Sequence, residues 1–171
     1  MKSNISFINV YKKKNLNSKV VTQILYGDSF KIIKNNGKWL KIKNNMDNYK
    51  GFIIRKNFLL DKKNTHKVSK LFAKIYSKPN LKFKINTKLS FGSRIQVVKK
   101  KSSFYKFEKF WIQKKDLKKI NFRNRDVFND IKKFSGVKYK WGGKHFTGID
   151  CSGLVQVFFN YNNQYCPRDT K

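Results

Sequence analysis

The sequence predicts an α+β protein, in which two β-rich units precede a shorter segment that contains helices. Two observations carry this expectation. A degenerate repeat at an offset of 65 residues aligns two stretches in which apolar and polar residues alternate, as they do in half-buried strands. From residue 126 onward, the apolar residues instead follow spacings that are compatible with helices. We therefore expect two small β-barrels followed by a helix-containing part.

The repeat is clearest where residues 22–33 align with residues 87–98 without a gap. The positions that keep their character are Thr22/Thr87, Ile24/Leu89, Tyr26/Phe91, Gly27/Gly92, Phe30/Ile95 and Ile32/Val97. The first copy closes with residues 51–59 and the second copy with residues 110–117. We therefore assign one barrel to residues 1–60 and the other to residues 61–120. Units this small are marginal alone, so each barrel is expected to lean on its neighbour.

A β-hairpin is predicted within the first copy. Residues 29–33 and 38–43 flank an N-N-G sequence that ends at Gly37, and such a turn between alternating segments is typical of a hairpin. The residues that we expect to be buried in this hairpin are Phe30, Ile32, Trp39 and Ile42.

The third unit follows a connector at residues 118–125. Asp126 is placed to cap the N-terminus of a helix, and Gly136 is placed to end it. The apolar face of this helix would consist of Val127, Phe128, Ile131 and Phe134. We assign residues 126–171 to this unit, which is smaller than a core usually needs to be stable alone.

Residues 139–153, Y-K-W-G-G-K-H-F-T-G-I-D-C-S-G, carry the strongest indication of chemistry. Cys151 stands between Asp150 and Ser152, after a glycine-containing loop and before an apolar run that suits a helix. In the first turn of a helix, the dipole and the unpaired backbone N–H groups favour a thiolate over a thiol. Cys151 is therefore a candidate nucleophile. The alternative is a small buried residue that caps a core helix.

The motif Y-x-W-G-G, five residues, then I-D-C-S-G-L-V-Q resembles the nucleophile motif of the NlpC-type bacterial cell-wall cysteine peptidases, which have a papain-like fold. The resemblance implies that Cys151 is the catalytic nucleophile. It also implies that Tyr139 lies beside the oxyanion, where a phenol can stabilise developing charge. The segment C-P-R-D-T at residues 166–170 is similar to the P-R-D-T/S segment of the family. The residues that the resemblance places around the peptide substrate and its free amino end are Asp150, Ser152, Trp141, Gly142 and Gly143.

The two repeats are similar to tandem bacterial SH3-like barrels, in which short strands surround an aromatic core. The closing strand of such barrels corresponds here to residues 51–53 in the first copy and to residues 110–112 in the second copy. The predicted architecture is thus α+β, with two small SH3-like β-barrels followed by the N-terminal half of a papain-like cysteine peptidase domain. The resemblance implies that the barrels restrict the cleft and help to recognise the stem peptide.

The implied reaction is hydrolysis of the bond between γ-D-glutamate and the diamino acid in peptidoglycan stem peptides or muropeptides, without a metal or an organic cofactor. Such a peptidase needs a histidine base, which in this family follows the cysteine. Both histidines of the chain, His66 and His145, precede Cys151, and only twenty residues follow it. We interpret His66 as a solvated linker residue and His145 as a loop residue. We therefore expect a C-terminally truncated form that is inactive by itself.

The net charge of +32 has two explanations. A basic surface can bind nucleic acid or another polyanion through the release of counterions. However, only five of the 41 basic residues are Arg, which is the better phosphate ligand, and the lysines are spread over the whole chain. We favour a compositional bias and do not expect nucleic acid as a partner. The alternatives to a peptidase are a catalytically inactive peptide-binding module and, less favoured, a polyanion-binding protein.

No apolar run is long enough to span a membrane, and the N-terminus lacks the features of a signal peptide. If Met1 is the true start, we expect a cytoplasmic protein. Cys151 and Cys166 lie in unlike contexts, and we do not expect a disulfide between them.

Overall fold

The computed structural model describes residues 1–60 and 62–169 of the chain. Thr170, the last residue of the predicted P-R-D-T segment, lies outside the described residues, as do Asp61 and Lys171 at the ends of predicted domains. The described residues form fifteen β-strands, three short 3-10 helices and one α-helix. The α+β prediction is therefore confirmed in coarse form, as a mostly β structure with one α-helix.

The first repeat forms a five-stranded antiparallel sheet. Its strands are β1 (Phe7–Tyr11), β2 (Val20–Leu25), β3 (Phe30–Asn36), β4 (Trp39–Asn44) and β5 (Lys50–Ile54). They lie in the order β2-β1-β5-β4-β3. The buried core of this sheet includes Val10, Ile24 and Phe30.

The predicted hairpin is formed by β3 and β4, and Gly37 in its turn has a positive φ of 63°. Phe30 and Ile42 are fully buried, as expected, whereas Trp39 is only half-buried. The prediction for Ile32 is wrong, because its side chain is 42% exposed. Strand β3 lies at the edge of the sheet, and a bulge between Ile32 and Lys34 interrupts the alternation of faces there.

The second repeat forms two sheets. Its strands are β6 (His66–Val68), β7 (Phe72–Tyr76), β8 (Lys84–Ser90), β9 (Arg94–Ile95), β10 (Lys99–Lys101), β11 (Phe104–Phe107), β12 (Phe110–Gln113) and β13 (Leu117–Lys119). Five of them lie in the order β10-β11-β12-β7-β8, and the other three in the order β13-β6-β9. Two 3-10 helices, Leu81–Phe83 and Lys114–Asp116, connect strands of this repeat.

The repeat found in the sequence is visible in the positions of the strands. Adding 65 residues to the bounds of β1 gives those of β7, and the same shift carries β2 onto β8. The turn glycines Gly27 and Gly92 have φ values of 82° and 80°. Both five-stranded sheets also have the same order when equivalent strands are compared. The two copies therefore share one topology.

Neither copy closes into a barrel within the described residues. The sheets end at β2 and β3 in the first copy and at β8 and β10 in the second copy. The two closed barrels expected from the sequence are thus unconfirmed, and the domain boundaries at residues 60 and 120 stay predictions. The edge strands β3 and β10 carry exposed lysines, which discourage further pairing of a sheet edge.

The third unit contains the short strands β14 (Lys144–His145) and β15 (Gly148–Ile149) and the helix α1 (Cys151–Tyr161). The helix predicted to start at Asp126 is wrong, because this stretch contains only the 3-10 helix Ile131–Phe134. The Asp126 carboxylate accepts the N–H of Phe128 at 2.9 Å, and such local bonds compete with helix formation. Among the described helices, none has the length and apolar character that crossing a bilayer requires.

In each repeat, one aromatic side chain is buried in the hydrophobic core of the unit that follows it in the chain. Tyr26 of the first repeat packs in the core of the second, with its ring centroid 5.7 Å from that of Phe107. Its equivalent in the second repeat, Phe91, is fully buried in the core of the third unit. The Phe91 ring stacks on Tyr161 of α1 at 4.4 Å. The three cores are therefore linked by two equivalent contacts.

The glycine after Tyr26 lets the chain pass close to the second repeat. A Cβ atom on Gly27 would lie 1.8 Å from the carbonyl oxygen of Arg94 in the second repeat. We predict that Gly27→Ala lowers the free energy of unfolding by more than about 3 kcal/mol, because a backbone clash adds to the strain of a left-handed residue. Urea unfolding followed by tryptophan fluorescence measures this change.

Gly37→Ala is the matched control, because Gly37 also has a positive φ but a Cβ atom there would meet nothing within 4 Å. This substitution should lower the free energy of unfolding by only about 1–2 kcal/mol, which is the strain of a left-handed residue with a side chain. Equal losses in the two variants would show that the contact between the repeats does not constrain Gly27.

Candidate active site

Cys151 is the first residue of α1, and its side chain is exposed. The N-terminal N–H groups of this eleven-residue helix point toward this end, where they and the helix dipole favour an anion. The alternative of a buried, purely structural cysteine does not agree with this exposure. Cys151 and Cys166 are both free thiols, as expected.

Asp150 caps the N-terminus of α1. Its Oδ1 atom accepts the N–H of Gly153 at 2.7 Å, and its Oδ2 atom accepts the N–H of Gly142 at 2.7 Å. The carboxylate thereby ties the glycine loop to the first turn of the helix. This cap fixes the backbone on both sides of Cys151.

Arg168 holds the same carboxylate from the opposite side. Its Nη1 and Nη2 atoms donate to Oδ1 and Oδ2 of Asp150 at 2.8 and 2.6 Å, and Nη1 also donates to the Ser152 hydroxyl at 2.6 Å. Asp150 and Arg168 are 6% and 3% exposed. The fork-shaped contact therefore forms a buried ion pair directly beneath the cysteine turn.

The ionisation of Asp150 follows from these contacts. Burial alone would raise the pKa of Asp150, but the hydrogen bonds from Arg168 and from the Gly153 N–H hold this pKa below its ordinary value. The carboxylate is therefore charged at neutral pH. Because several donors already surround both oxygens, the geometry gives Asp150 a positioning role, and direct contact with substrate stays a prediction.

The glycines of the motif allow close backbone contacts. A Cβ atom on Gly142 would lie 2.5 Å from the carbonyl oxygen of Val20 in the first repeat, and Gly142 also has a φ of 73°. A Cβ atom on Gly143 would lie 2.4 Å from the carbonyl oxygen of Gly148. These two positions therefore hold the loop against β2 and β15, whatever further contact they make with a ligand.

Tyr139 and Trp141 are exposed beside this loop, at 66% and 65%. Tyr139 forms a parallel bridge with Ile149, two residues before Cys151. Trp141 lines an open pocket of about 300 Å³ between the loop and the first repeat. Across that pocket, the hydroxyl of Tyr49 donates to Asp169 at 3.0 Å. Trp141 therefore borders a cleft that both units form, whereas Tyr139 is not among the residues that line it.

Neither histidine has the environment expected from the sequence. His145 lies in β14 and is 3% exposed, with Nε2 3.1 Å from the Ser6 hydroxyl and Nδ1 2.8 Å from the Thr147 hydroxyl. Burial and the charge of Lys140 lower the pKa of His145 to about 4. It is thus a buried strand residue rather than a loop residue.

His66 lies in β6 and is half-buried, so its interpretation as a solvated linker residue is also wrong. Its Nδ1 atom is 2.9 Å from the Thr65 hydroxyl, and burial together with Lys100 and Lys119 lowers its pKa. No hydrogen bond joins either histidine to Cys151 in the described part of the chain. The two histidines therefore have structural partners elsewhere.

Two buried polar residues near the site were not singled out in the sequence. The Lys144 side chain is 1% exposed, and burial lowers the pKa of its amine despite the opposing charges of Asp28 and Asp47. Gln156 of α1 donates to Asp47 at 2.9 Å and to the carbonyl oxygen of Cys166 at 2.9 Å. These residues join α1 and the loop before it to the first repeat.

The chain matches known families at both of its ends. The bacterial SH3 domain matches residues 6–58, and the NlpC/P60 family matches residues 136–171, which contain Cys151. The family resemblance inferred from the sequence is thereby confirmed for both segments.

Two curated bacterial proteins are similar over most of the chain. The γ-D-glutamyl-L-lysine dipeptidyl-peptidase of Bacillus cereus is 24% identical over 179 residues, which cover 90% of this chain and 54% of the relative. Dipeptidyl-peptidase 6 of Lysinibacillus sphaericus is 24% identical over 192 residues, which cover 95% and 69%. The chain thus spans about half the length of the first relative and about two thirds of the second.

A crystal structure of an NlpC/P60 family protein from Bacillus cereus has the same fold. The TM-score is 0.83 at 19% sequence identity, and the alignment covers 98% of this chain and 74% of that chain. At this identity the likeness concerns the fold alone.

The ion pair beneath Cys151 generates a stability prediction. We expect Arg168→Met to lower the free energy of unfolding by about 3–5 kcal/mol, because it leaves a buried carboxylate without its cation. Lys133→Met is the control, since the Lys133–Asp130 pair is more exposed, at 33% and 14%, and should be worth below about 1 kcal/mol. Urea unfolding of both variants measures the difference, and similar losses would contradict a special role for Arg168.

The low pKa of His145 generates a pH prediction. The unfolded chain takes up a proton on this residue near pH 6.5, whereas the folded protein does so only near pH 4. The free energy of unfolding should therefore fall by about 3 kcal/mol as the pH drops through this window. An NMR titration of the imidazole protons and urea unfolding between pH 7 and 4 test this expectation. A His145→Gln variant should lose the dependence, and a titration near pH 6.5 would contradict it.

Proposed function

We propose that this protein, which carries a bacterial SH3 segment and an NlpC/P60 segment, is a thiol peptidase that hydrolyses γ-D-glutamyl–diamino acid bonds in peptidoglycan stem peptides or muropeptides. The observation that carries the proposal is the exposed thiol of Cys151 at the N-terminus of α1, above the buried Asp150–Arg168 pair. The name of the Bacillus cereus relative, a γ-D-glutamyl-L-lysine dipeptidyl-peptidase, supports the bond type.

In the proposed reaction, the Cys151 thiolate attacks the carbonyl carbon of the γ-D-glutamyl residue. The N–H groups of the first turn of α1 and the hydroxyl of Tyr139 would stabilise the oxyanion. An acyl-enzyme forms between the thiol and the γ-D-glutamyl group, and the amine of the diamino acid leaves with a proton. Because His66 and His145 have other partners, this proton would come from a histidine outside these 171 residues. Water then releases the acyl group and regenerates the thiol.

The cleft beside Trp141 is the proposed position of the stem peptide. It lies between the motif loop and the first repeat, so the first SH3-like unit would restrict the ligand that reaches Cys151. Ser152, Gly142 and Gly143 would border the peptide there. We propose that the two repeats act as SH3-like units in this recognition.

A second candidate function is peptide binding without turnover. It is favoured by one observation, that both histidines among the 171 residues are engaged away from Cys151. A base for Cys151 would then have to come from outside these residues. A location in the cytoplasm and the absence of nucleic acid among the partners remain predictions.

The test measures turnover and binding separately. The intact mass of protein purified from its own cells is measured by mass spectrometry. The same protein is then incubated with L-alanyl-γ-D-glutamyl-L-lysine and, separately, with the tripeptide that has diaminopimelate in place of lysine. We expect release of the L-alanyl-γ-D-glutamate dipeptide, its loss in Cys151→Ala, and its retention in the control Cys166→Ala. The 171-residue chain alone should bind the tripeptide without cleaving it.

Two results separate the candidates. Tripeptide binding without cleavage, in a native protein of 20.4 kDa, would support the binding module over the peptidase. Cleavage that persists in Cys151→Ala would contradict the proposed nucleophile.

A further inference from the structure

A pocket of about 320 Å³ lies between the two repeats and shares no residue with the candidate active site. Its walls are mainly apolar, and a volume of this size is typical of sites for small molecules. The residues that define it are Tyr26, Leu59, Ile95, Val98, Phe107 and Glu108.

The walls of this pocket are fixed by contacts between the repeats. Tyr26 is 4% exposed and packs edge-on against Phe107, and its carbonyl oxygen accepts the N–H of Arg94 at 2.8 Å. Leu59 is held by paired backbone hydrogen bonds with Lys2. The pocket is therefore a preformed feature of the interface, so a ligand need not order its walls.

Polar groups of both signs stand at this apolar pocket. Glu108 is the only glutamate of the chain, and it accepts a hydrogen bond from the Tyr26 hydroxyl. Its backbone has a φ of 47°, an uncommon conformation for a residue with a side chain. Lys62 and Lys2 also line the pocket. Lys62 is exposed, whereas the buried Lys2 ammonium donates to the carbonyl oxygen of Lys62 and to Asn64. A carboxylate and an ammonium group are thus both available to a ligand.

The charges restrict the class of ligand. A net charge of +32 repels a small cation that approaches the protein, and a simple anion would leave the Glu108 carboxylate in the pocket without a cationic partner. A zwitterion with an apolar side chain meets neither penalty. Its ammonium group would face Glu108, its carboxylate would face Lys62, and its side chain would lie among Ile95, Val98 and Phe107.

We infer that the pocket between the repeats binds a free α-amino acid with a large apolar side chain. The binding is reversible and involves no covalent step. Because the pocket shares no residue with the Cys151 site, this inference stands apart from the proposed peptidase function.

The experiment uses the 171-residue chain and L-phenylalanine as the probe, with isothermal titration calorimetry. Two analogues each remove one charge: 2-phenylethylamine lacks the carboxylate, and 3-phenylpropionate lacks the amine. We expect each analogue to bind at least about tenfold more weakly than phenylalanine, which corresponds to the loss of one charged contact. Equal affinity for the three compounds would overturn the zwitterion assignment.

Variants locate the binding. Glu108→Gln and Lys62→Gln should each weaken phenylalanine binding about tenfold, whereas the neighbouring exposed control Lys63→Gln should not. Val98→Trp places bulk at a lining position that is 60% exposed and should abolish binding while the thermal midpoint stays near that of the wild type. Amide shift mapping with phenylalanine should perturb Ile95, Phe107 and Glu108. Shifts confined to the Trp141 cleft, or equal losses in Lys62→Gln and Lys63→Gln, would refute the site.

Discussion

The rest of the structure depends on one kind of contact, in which an aromatic ring of each repeat packs in the core of the next unit. Tyr26 and Phe91 occupy equivalent positions, and each precedes a glycine with positive φ. Gly27 also brings the chain close to the backbone of the second repeat. Units of about 60 residues bury too little apolar surface to be more than marginally stable alone. Through these rings, the second and third units obtain cores that neither completes by itself. The cysteine helix in particular packs on a ring from the second repeat.

The candidate site combines this packing with one buried ion pair. The ring of Phe91 fixes one side of α1, and the Asp150–Arg168 pair fixes its N-terminal turn. A close contact between Gly142 and Val20 then sets the loop against the first repeat. The thiol therefore stays exposed on a turn whose backbone is held from three directions. Such support is what a reactive group requires if it is to keep its geometry during a reaction.

The parts of this structure that follow local patterns could be predicted from the sequence. The repeat predicted the equivalent strands and turn glycines, because paired residues at a constant offset reflect one topology used twice. The D-C-S-G motif placed Cys151 at a helix start for a similar reason, since capping depends on neighbouring residues. The prediction of a helix after Asp126 is wrong because this carboxylate accepts a hydrogen bond within a local turn. The prediction for Ile32 is wrong because its strand lies at the edge of the sheet, which leaves the side chain partly uncovered.

Contacts between distant residues could not be predicted in this way. Nothing in the spacing shows that Arg168 reaches back to Asp150, or that His145 is buried against Ser6 of the first repeat. Histidine is ambiguous in a sequence, because it suits a catalytic site, a loop and a packed interface equally well. Only the residues that contact a histidine in the folded structure show which of these roles it has.

The order of these aromatic contacts along the chain also has a consequence for synthesis on the ribosome. In both cases the ring precedes in the chain the unit in which it packs, so the ring of Tyr26 has already emerged when the second repeat is made, and that of Phe91 when α1 is made. Domains generally fold in this N-to-C order during translation. Each newly made unit can thus pack on a unit that has already been made, and the helix that carries the Cys151 thiol is the last of these elements to form.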